Sequence, residues 1–316
     1  MSAILLNLKE GDEVIVPSFT FVSTPNAFIL RGAKPIFIDI RSDTLNMNED
    51  KLEELITDNT KAIYVVHYAG VGCEMASIMK IAKKYRIDIV EDNAHGLFGK
   101  YRGKFLGTFG KFAAQSFHET KNISCGEGGA LLINDSNFIE RAEIIREKGT
   151  NRSRFFRGQI DKYSWVDIGS SFLPSDILAA ILLSHLEESQ NIQRKRKEIW
   201  ETYDHVLKEW AHDNNVKQPN IPDHCEQSYH MYYLLLPNSN TRQAFIRHLK
   251  GRGVHSVFHY VPLHASEMGA KYGYAEGDFP VTEKISSCLV RLPMYYDLSP
   301  VDLAQINQAI MEFKTG

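Results

Sequence analysis

Short apolar runs alternate with amphipathic stretches through the first half of the chain. Two stretches have the periodicity of helices: NEDKLEELI, which Asn48 could cap, and EMASIMKIAKKY. The apolar runs are rich in Val, Ile and Phe and short enough for strands; they are EVIVPSF, PIFIDI, KAIYVV, IDIVED, FAAQSF and GALLIN. This alternation predicts an α/β fold with a mainly parallel sheet and helices on both faces.

The second half of the chain has a different pattern. A polar segment over residues 147–172 interrupts the alternation, and a long amphipathic helical region is predicted from about Ser175 to Trp210. The remaining predicted elements are strands in QSYHMYYLLL and HSVFHY, a helix in RQAFIRHLKGRG, and a last helix from about Val301 to Phe313. We therefore expect a large domain over residues 1–195 and a small α+β C-terminal domain over residues 196–316.

Composition and charge narrow the possible functions. Hydrophobic residues make up 43% of the 316 residues and charged residues 24%, which is typical of a globular protein. The net charge of -3 argues against a role centred on nucleic acid, because such proteins are usually basic.

The sequence shows no sign of a membrane span, a signal peptide or a metal-binding cysteine pattern. No run of about 18 apolar residues occurs, and the N-terminus lacks a basic n-region. The four cysteines are far apart, which argues against a disulfide scaffold and a structural zinc. We expect a cytoplasmic protein with reduced thiols that binds no metal.

Three segments place reactive or aromatic side chains just after predicted strands. Lys121 lies in a polar turn before a glycine-rich stretch, Asp92 ends IDIVED, and two aromatics, Phe19 and Phe21, follow EVIVP. Ligands of parallel sheets bind beyond the carboxyl ends of the strands. Each residue alone has an ordinary explanation: a solvated lysine, a turn-capping aspartate and a core aromatic. Together they suit pyridoxal phosphate (PLP), which uses a Schiff-base lysine and an aspartate at the pyridine nitrogen.

Longer motifs strengthen this interpretation. The segments that carry a family likeness are GDEVIVPSFTFVSTPNAFILRGAKPIFIDI, VVHYAGVGCEM, IVEDNAHG, SFHETKNISCGEGGALL, RAEIIREKGTNRSRFFRGQIDKYSW, FHYVPLH and RLPMYYDLSP. Over almost the whole chain the sequence resembles the DegT/DnrJ/StrS family of nucleotide-sugar aminotransferases. The resemblance implies the fold-type I PLP-dependent aminotransferase architecture and a homodimer with shared active sites.

The resemblance assigns roles to residues of the strand-end cluster. Lys121 matches the lysine that forms the Schiff base with PLP and then moves the proton, and Asp92 matches the partner of the pyridinium nitrogen. His95 matches the position that contacts the phenolic oxygen of the cofactor. Phe21 matches the aromatic stacked on the ring, and Ser116 matches a hydroxyl on the phosphate.

Further residues are implied as contacts of the cofactor or the substrate. Ser171, in GSSF, stands where many relatives have an asparagine that reaches the phosphate from the partner subunit. The segment from Arg146 to Lys162 has six basic and two acidic residues, and it is either a solvated loop or a lid for a diphosphate or for the carboxylates of glutamate. The predicted substrate-binding residues are Arg152, Arg154, Arg157, His259, Tyr260 and His264, of which the last three could equally be packed core residues.

The N-terminus differs from the family pattern. SAILLNL is apolar from residue 3, with no capping turn in front of it. The resemblance implies several dozen residues ahead of Met1, including a helix N-terminus that holds the cofactor phosphate. We therefore expect that the N-terminal part of the large domain is absent and that this shortened chain binds PLP weakly.

The resemblance implies amino transfer from L-glutamate to a dTDP-4-keto-6-deoxyhexose, giving dTDP-4-amino-4,6-dideoxygalactose and 2-oxoglutarate. Three alternatives stay open. The first is the same chemistry on a 3-keto sugar or a UDP-linked sugar. The second is a sugar dehydratase, against which Lys121 argues, because those relatives have His at this position. The third is a non-catalytic remnant that pairs with a longer subunit.

Overall fold

A six-stranded sheet forms the centre of the larger part of the molecule. Residues 1–314 are described in a computed structural model of the chain. The strands of these residues are β1 Glu13–Pro17, β2 Lys34–Ile38, β3 Thr60–Val66, β4 Asp88–Asp92, β5 Lys100–Tyr101, β6 Lys104–Phe105, β7 Phe112–Ser116, β8 Gly129–Ile133, β9 Cys225–Glu226, β10 Tyr233–Leu235 and β11 Leu289–Arg291. The central sheet has the order β2-β1-β3-β4-β7-β8 and is parallel except for β8, which confirms the predicted α/β fold.

Helices and two small antiparallel sheets surround this centre. The helices of the described residues are α1 Ser2–Leu5, α2 Ser23–Ile29, α3 Met75–Tyr85, α4 Ile139–Arg146, α5 Arg152–Phe156, α6 Asp176–Glu187, α7 Ser189–Val206, α8 Lys208–Asp213, α9 Ser239–Lys250, α10 Glu267–Ala270, α11 Pro280–Cys288 and α12 Pro300–Met311. The small sheets have the orders β10-β11 and β6-β5-β9.

The strand predictions of the first half are confirmed, and so is the helical region over 175–210, which consists of α6, α7 and α8 with breaks at Glu188 and Leu207. Two other predictions are wrong in detail. NEDKLEELI forms two 3₁₀ turns and ends at Ile56, which is extended, although Asn48 does cap the first turn. HSVFHY contains no strand and makes only a single bridge, Val257 with Arg291.

The parallel register places four strand ends on one edge of the sheet. Val66 of β3 pairs with Asp92 of β4, and Asp92 pairs in turn with Ala114 of β7. The segments that follow β1, β3, β4 and β7 therefore emerge side by side, as the sequence pattern predicted.

Separate hydrophobic cores lie in the two parts of the chain. Ile15, Ile63 and Ile78 belong to a core between the central sheet and α3. Trp200, Phe245 and Ile310 belong to another core, formed by residues after 198. The predicted domain boundary at residue 195 falls inside α7, and the last two residues of the predicted small domain lie outside the described residues. The division at this residue stays a prediction.

A buried carboxylate ties β4 to the loop before β7. Glu91 is fully buried; it accepts a hydrogen bond from His67 Nε2 at 2.9 Å and bonds of 2.7 Å from the backbone N–H groups of Gly107, Phe109 and Gly110. Burial alone would raise the pKa of Glu91. The hydrogen bond from His67 and the backbone donors outweigh burial and hold this pKa below its usual value.

We expect Glu91→Gln to lower the free energy of unfolding by about 1–3 kcal/mol, because an amide leaves buried N–H donors unpaired. Because the pKa of Glu91 is lower in the folded protein than in the unfolded chain, its ionised carboxylate stabilises the fold fully at pH values above the unfolded pKa. This stabilisation is lost as the pH falls through the folded pKa of Glu91. The difference between wild type and variant should therefore shrink in acid. Urea denaturation at several pH values measures it, and a difference that grows in acid would contradict this account.

Among residues 1–314, no helix is both long enough and apolar enough to cross a bilayer.

Candidate active site

Asp92 is held in a fixed orientation at the end of β4. Thr24 Oγ1 donates a hydrogen bond of 2.6 Å to Asp92 Oδ2, and the N–H of Ala94 donates to Oδ1 at 3.1 Å. The hydroxyl of Thr20 lies 3.0 Å from that of Thr24. The carboxylate is only partly buried, so it has a position and a direction but is not enclosed. This suits a group that holds a cationic ring nitrogen.

Lys121 lies in the connection between β7 and β8, beyond the same edge of the sheet. Its N–H donates to the carbonyl of His118 at 2.9 Å, which fixes the turn. Burial lowers the pKa of the Lys121 amine, and the nearby charge of Asp92 partly opposes this effect. The structure therefore brings the two central residues of the sequence prediction together. A partly desolvated amine is more often neutral, as a nucleophile requires.

His95 and His230 form a stacked pair beside Lys121. The two ring centroids are 4.2 Å apart and the rings are inclined by 18°. His230 Nδ1 lies 2.9 Å from Asn122 Oδ1, which only accepts hydrogen bonds, so Nδ1 carries the proton. His95 Nδ1 is buried and has no hydrogen-bond partner. An unpaired buried nitrogen at this place is available to a polar atom of a ligand.

A wall of aromatic side chains completes the site. The Tyr68 hydroxyl lies 2.9 Å from His259 Nδ1, and the Tyr260 ring lies 5.8 Å from Phe19 and 6.2 Å from Phe21. Burial lowers the pKa of His259, which favours its neutral form, and raises the pKa of Tyr260. The structure thus places His259 and Tyr260 with the strand-end cluster. Phe21 is 56% exposed and lies at the entrance, where a ring could stack on a bound molecule.

Two predicted phosphate contacts have different surroundings. Ser116 ends β7, and its hydroxyl accepts a weak hydrogen bond of 3.3 Å from the N–H of His118, so it stays available to a ligand. Ser171 is exposed and pairs with Glu147 through a backbone bridge. Its backbone bridge to Glu147 does not link it to Lys121 or Asp92. A contribution of Ser171 to the site of a partner subunit stays a prediction.

The three predicted substrate arginines form ion pairs with the neighbouring helix α4 and the residue that follows it. Arg157 pairs with Glu143 through two hydrogen bonds of 2.8 and 3.0 Å. Arg152 pairs with Glu147 at 3.4 Å, and Arg154 pairs with Glu140. These contacts do not link the arginines to Lys121. Such exposed pairs are worth little and can be exchanged, so a role in substrate binding stays a prediction.

His264 does not face the site. It is fully buried; Nδ1 lies 2.6 Å from the Ser18 hydroxyl and Nε2 lies 2.9 Å from Glu283. Both ring nitrogens are therefore engaged, and the ring has none to offer to a substrate. This corrects the expectation for His264, whose contacts instead fasten the segment after Tyr260 to β1 and α11.

The sequence reasoning missed several residues of the site. Tyr68 follows β3 at the same edge as Asp92, so the strand-end rule could have found it. Thr24 and Asn122 adjoin motifs that were singled out, but their partners are 68 and 108 residues away in the chain. His230 and Arg291 come from the C-terminal part, and no local pattern predicts that they reach Lys121.

The residues present fit the ring of a pyridoxal cofactor. They offer a partly buried amine, an oriented carboxylate, an unpaired imidazole nitrogen and an exposed aromatic ring, all at one edge of the sheet. The unpaired Nδ1 of His95 is the most informative of these, because a buried polar atom without a partner is costly unless a ligand satisfies it. Asp92 would hold the ring nitrogen, and Ser116 would contact the phosphate.

This fold and this site define a PLP-dependent sugar aminotransferase, and the comparisons with known proteins agree. GDP-perosamine synthase of Escherichia coli O157:H7 is 30% identical over 99% of this chain and 82% of its own length. The aminotransferase TlmJ of Streptoalloteichus hindustanus superposes with a TM-score of 0.88 at 30% identity, over 98% of this chain and 81% of that one. The PLP form of Spr1654 of Streptococcus pneumoniae gives a TM-score of 0.89 at 26% identity, over 98% and 82%.

The sequence profile of the DegT/DnrJ/EryC1/StrS aminotransferase family matches residues 1–311. The chain belongs to this family. Its cofactor is PLP. The chain spans about four fifths of the length of the relatives named above. The expectation of a shortened chain with weak cofactor binding stays a prediction.

Proposed function

We propose that this protein transfers the amino group of L-glutamate to a dTDP-4-keto-6-deoxyhexose, giving dTDP-4-amino-4,6-dideoxygalactose and 2-oxoglutarate. The observation that carries the transamination is that a partly desolvated Lys121 lies beyond the sheet edge where Asp92 is held in a fixed orientation, and that the charge of Asp92 raises the pKa of Lys121 against the effect of burial. The choice of sugar and nucleotide rests on the resemblance of almost the whole chain to enzymes that form this amino sugar. The predicted roles of such enzymes in enterobacterial common antigen and lipopolysaccharide, and a cytoplasmic location, belong to the same proposal.

Each residue of the candidate active site has a separate role in the proposed reaction. When bound, PLP supplies a carbonyl for amino exchange and a protonated ring that accepts electron density. Lys121 Nζ would hold the cofactor between turnovers and would take up and return the proton of the amino-bearing carbon. Asp92 would keep the ring nitrogen protonated, and Thr24 keeps Asp92 in place. Tyr260 and the neutral ring of His259 cover the site and exclude water.

A second candidate is the same reaction on another nucleotide. It is favoured by the likeness to a protein named GDP-perosamine synthase, which is as similar in sequence as several other relatives. Both candidates need the same lysine and aspartate, so the distinction depends on substrate assays.

A panel of keto-sugars tests the proposal. The holoenzyme is incubated with L-glutamate and the dTDP-4-keto, dTDP-3-keto, UDP-4-keto or GDP-4-keto sugar, and the release of 2-oxoglutarate is followed. We expect the dTDP-4-keto sugar to have the highest kcat/KM, and NMR of the product to show an axial amino group at C4. A preference for another sugar, or an equatorial amine, would overturn the substrate assignment. No turnover with any sugar would favour the remnant alternative.

We also propose a homodimer, because one helix leaves its apolar side chains exposed. α6 has the sequence DILAAILLSHLE, yet none of its twelve residues is buried. Ile177 is 75% exposed, Leu183 57% and, nearby in the chain, Trp165 78%. Several large apolar side chains left exposed on one helix are typical of an interface. A second copy of the chain is the partner that the family resemblance implies.

Ile177→Glu should convert the dimer to a monomer, because it introduces an unpaired charge into the apolar contact. Size-exclusion chromatography with light scattering measures the change. Val301→Glu, at an equally exposed position on α12, is the matched control and should stay dimeric. A monomeric wild-type protein, or a variant that stays dimeric, would refute this interface.

A further inference from the structure

Arg291 is a charged residue of the site for which no role was predicted. It is the last residue of β11, where it pairs with Tyr233 of β10. On its other side, its backbone exchanges hydrogen bonds of 2.7 and 3.3 Å with Val257. Val257 is two residues before His259. The backbone therefore places Arg291 between the Tyr68–Tyr233 aromatic contact and the segment that carries His259 and Tyr260.

The guanidinium of Arg291 has no anionic partner among residues 1–314. Its Nε is buried without a hydrogen bond, and its side chain forms no ion pair with a described residue. Arg196 shows the contrast: it is more deeply buried than Arg291, and its guanidinium donates to the carbonyls of Tyr229, His230 and Met294. A partly buried guanidinium without such acceptors has donors left for a ligand.

The positive charge of Arg291 acts on Lys121 and on two histidines beside it. Burial is the main reason that the pKa values of His95, Lys121 and His259 are lowered, and the positive charge of Arg291 lowers all three further. These groups surround the place where the amino group is exchanged. The unpaired charge of Arg291 therefore acts on the same place as Lys121, where it would attract an anionic group of a bound molecule.

The chemistry of the two substrates indicates which anion Arg291 would bind. In an amino acid, the carboxylate is one bond away from the carbon that bears the reacting amino group. In a nucleotide-linked 4-keto sugar, the nearest phosphorus is separated from C4 by five bonds through the ring. Only the amino acid therefore presents an anion close to Lys121 while it reacts there. Arginine binds carboxylates through two parallel hydrogen bonds.

We propose that Arg291 binds the α-carboxylate of the amino donor and thereby selects an amino acid for the first half of the reaction. This inference rests on the proposed function as a transaminase. It does not depend on which keto-sugar is used.

The two half-reactions test the assignment, because only one of them involves a carboxylate. In the PLP form of Arg291→Gln, the KM for L-glutamate, followed by the change in cofactor absorbance, should rise about 10- to 100-fold, as expected for the loss of a charged hydrogen-bonded pair. The reverse half-reaction with the amino-sugar product should be unchanged. Calorimetry with glutarate, an unreactive dicarboxylate, should show binding to the wild-type holoenzyme that weakens by at least tenfold in the variant.

Arg31→Gln is the matched control. Arg31 also has a buried, unpaired Nε, but it precedes β2 at the opposite edge of the sheet, so all three measurements should match wild type. Arg291→Lys keeps the positive charge but lacks the planar guanidinium, so it should recover part of the glutamate affinity. The same variant replaces Arg291→Gln in these measurements if the glutamine variant fails to fold.

Two results would overturn the proposal. One is a KM for glutamate and a glutarate affinity that are both unchanged in Arg291→Gln. The other is a larger loss in the amino-sugar half-reaction than in the glutamate half-reaction, which would assign Arg291 to the diphosphate. Wild-type protein that converts neither substrate but binds glutarate through Arg291 would refute the proposed function and leave the carboxylate site standing.

Discussion

Lys121→Ala should lower the rate of amino transfer by roughly 10²–10⁴-fold, the range for loss of a positioned proton-transfer group. Alanine offers neither an amine to hold the cofactor nor a base to move the proton. Lys121→Arg should be as inactive, because a guanidinium keeps the charge but forms no Schiff base and stays protonated. Single-turnover absorbance changes with L-glutamate measure both variants.

Lys111→Ala is the control for this pair. Lys111 directly precedes β7, at the edge of the sheet opposite to Lys121, and it forms an ion pair with Asp88. We expect full activity from this variant. Residual turnover of Lys121→Ala near the wild-type level would show that Lys121 is not the reacting amine.

Asp92→Asn is the second substitution with a large expected effect. The amide cannot balance a positive ring nitrogen, so the bound cofactor loses its proton and accepts electron density poorly. Loss of an adjacent opposite charge should lower kcat by about 10- to 1,000-fold. The variant should still fold, because Thr24 can donate to the amide oxygen as it donates to the carboxylate.

The same substitution has a consequence for Lys121 that can be measured without cofactor. The Asp92 charge raises the pKa of the Lys121 amine against the effect of burial. Its removal should therefore shift the titration of this amine in the apoprotein to lower pH. Asp88→Asn, at the start of the same strand, should leave both the rate and the titration unchanged. An unchanged pKa for Lys121 in Asp92→Asn would mean that the two groups do not interact.

The strand-end residues could be predicted from the sequence, because they depend on local signals. Apolar runs of five to seven residues located the strands, and the rule for parallel sheets then brought Lys121 and Asp92 together. The coverage of these residues by aromatic side chains could be predicted only through the family resemblance. Nothing in the spacing relates Tyr260 to Phe21, which lies 239 residues earlier in the chain.

Long-range contacts explain the predictions that failed or stay open. His264 has the environment of a structural residue only because Ser18, 246 residues away, and Glu283 occupy its ring nitrogens. The predicted basic lid began at Arg146 and therefore left out Glu140 and Glu143 of the preceding helix. These two carboxylates pair with Arg154 and Arg157, respectively. From Ile139 to Lys162 the helix and loop carry seven basic and four acidic residues, so the segment stays basic although Arg154 and Arg157 are paired.

Reductive trapping of the cofactor tests the central claim most directly. The purified protein is incubated with PLP, reduced with borohydride, digested, and mapped by mass spectrometry. We predict a pyridoxyl group on Lys121, with no labelling of this residue after prior reduction of PLP. A folded protein that carries no label, or carries it on another lysine, would contradict the assignment of Lys121 as the reacting amine.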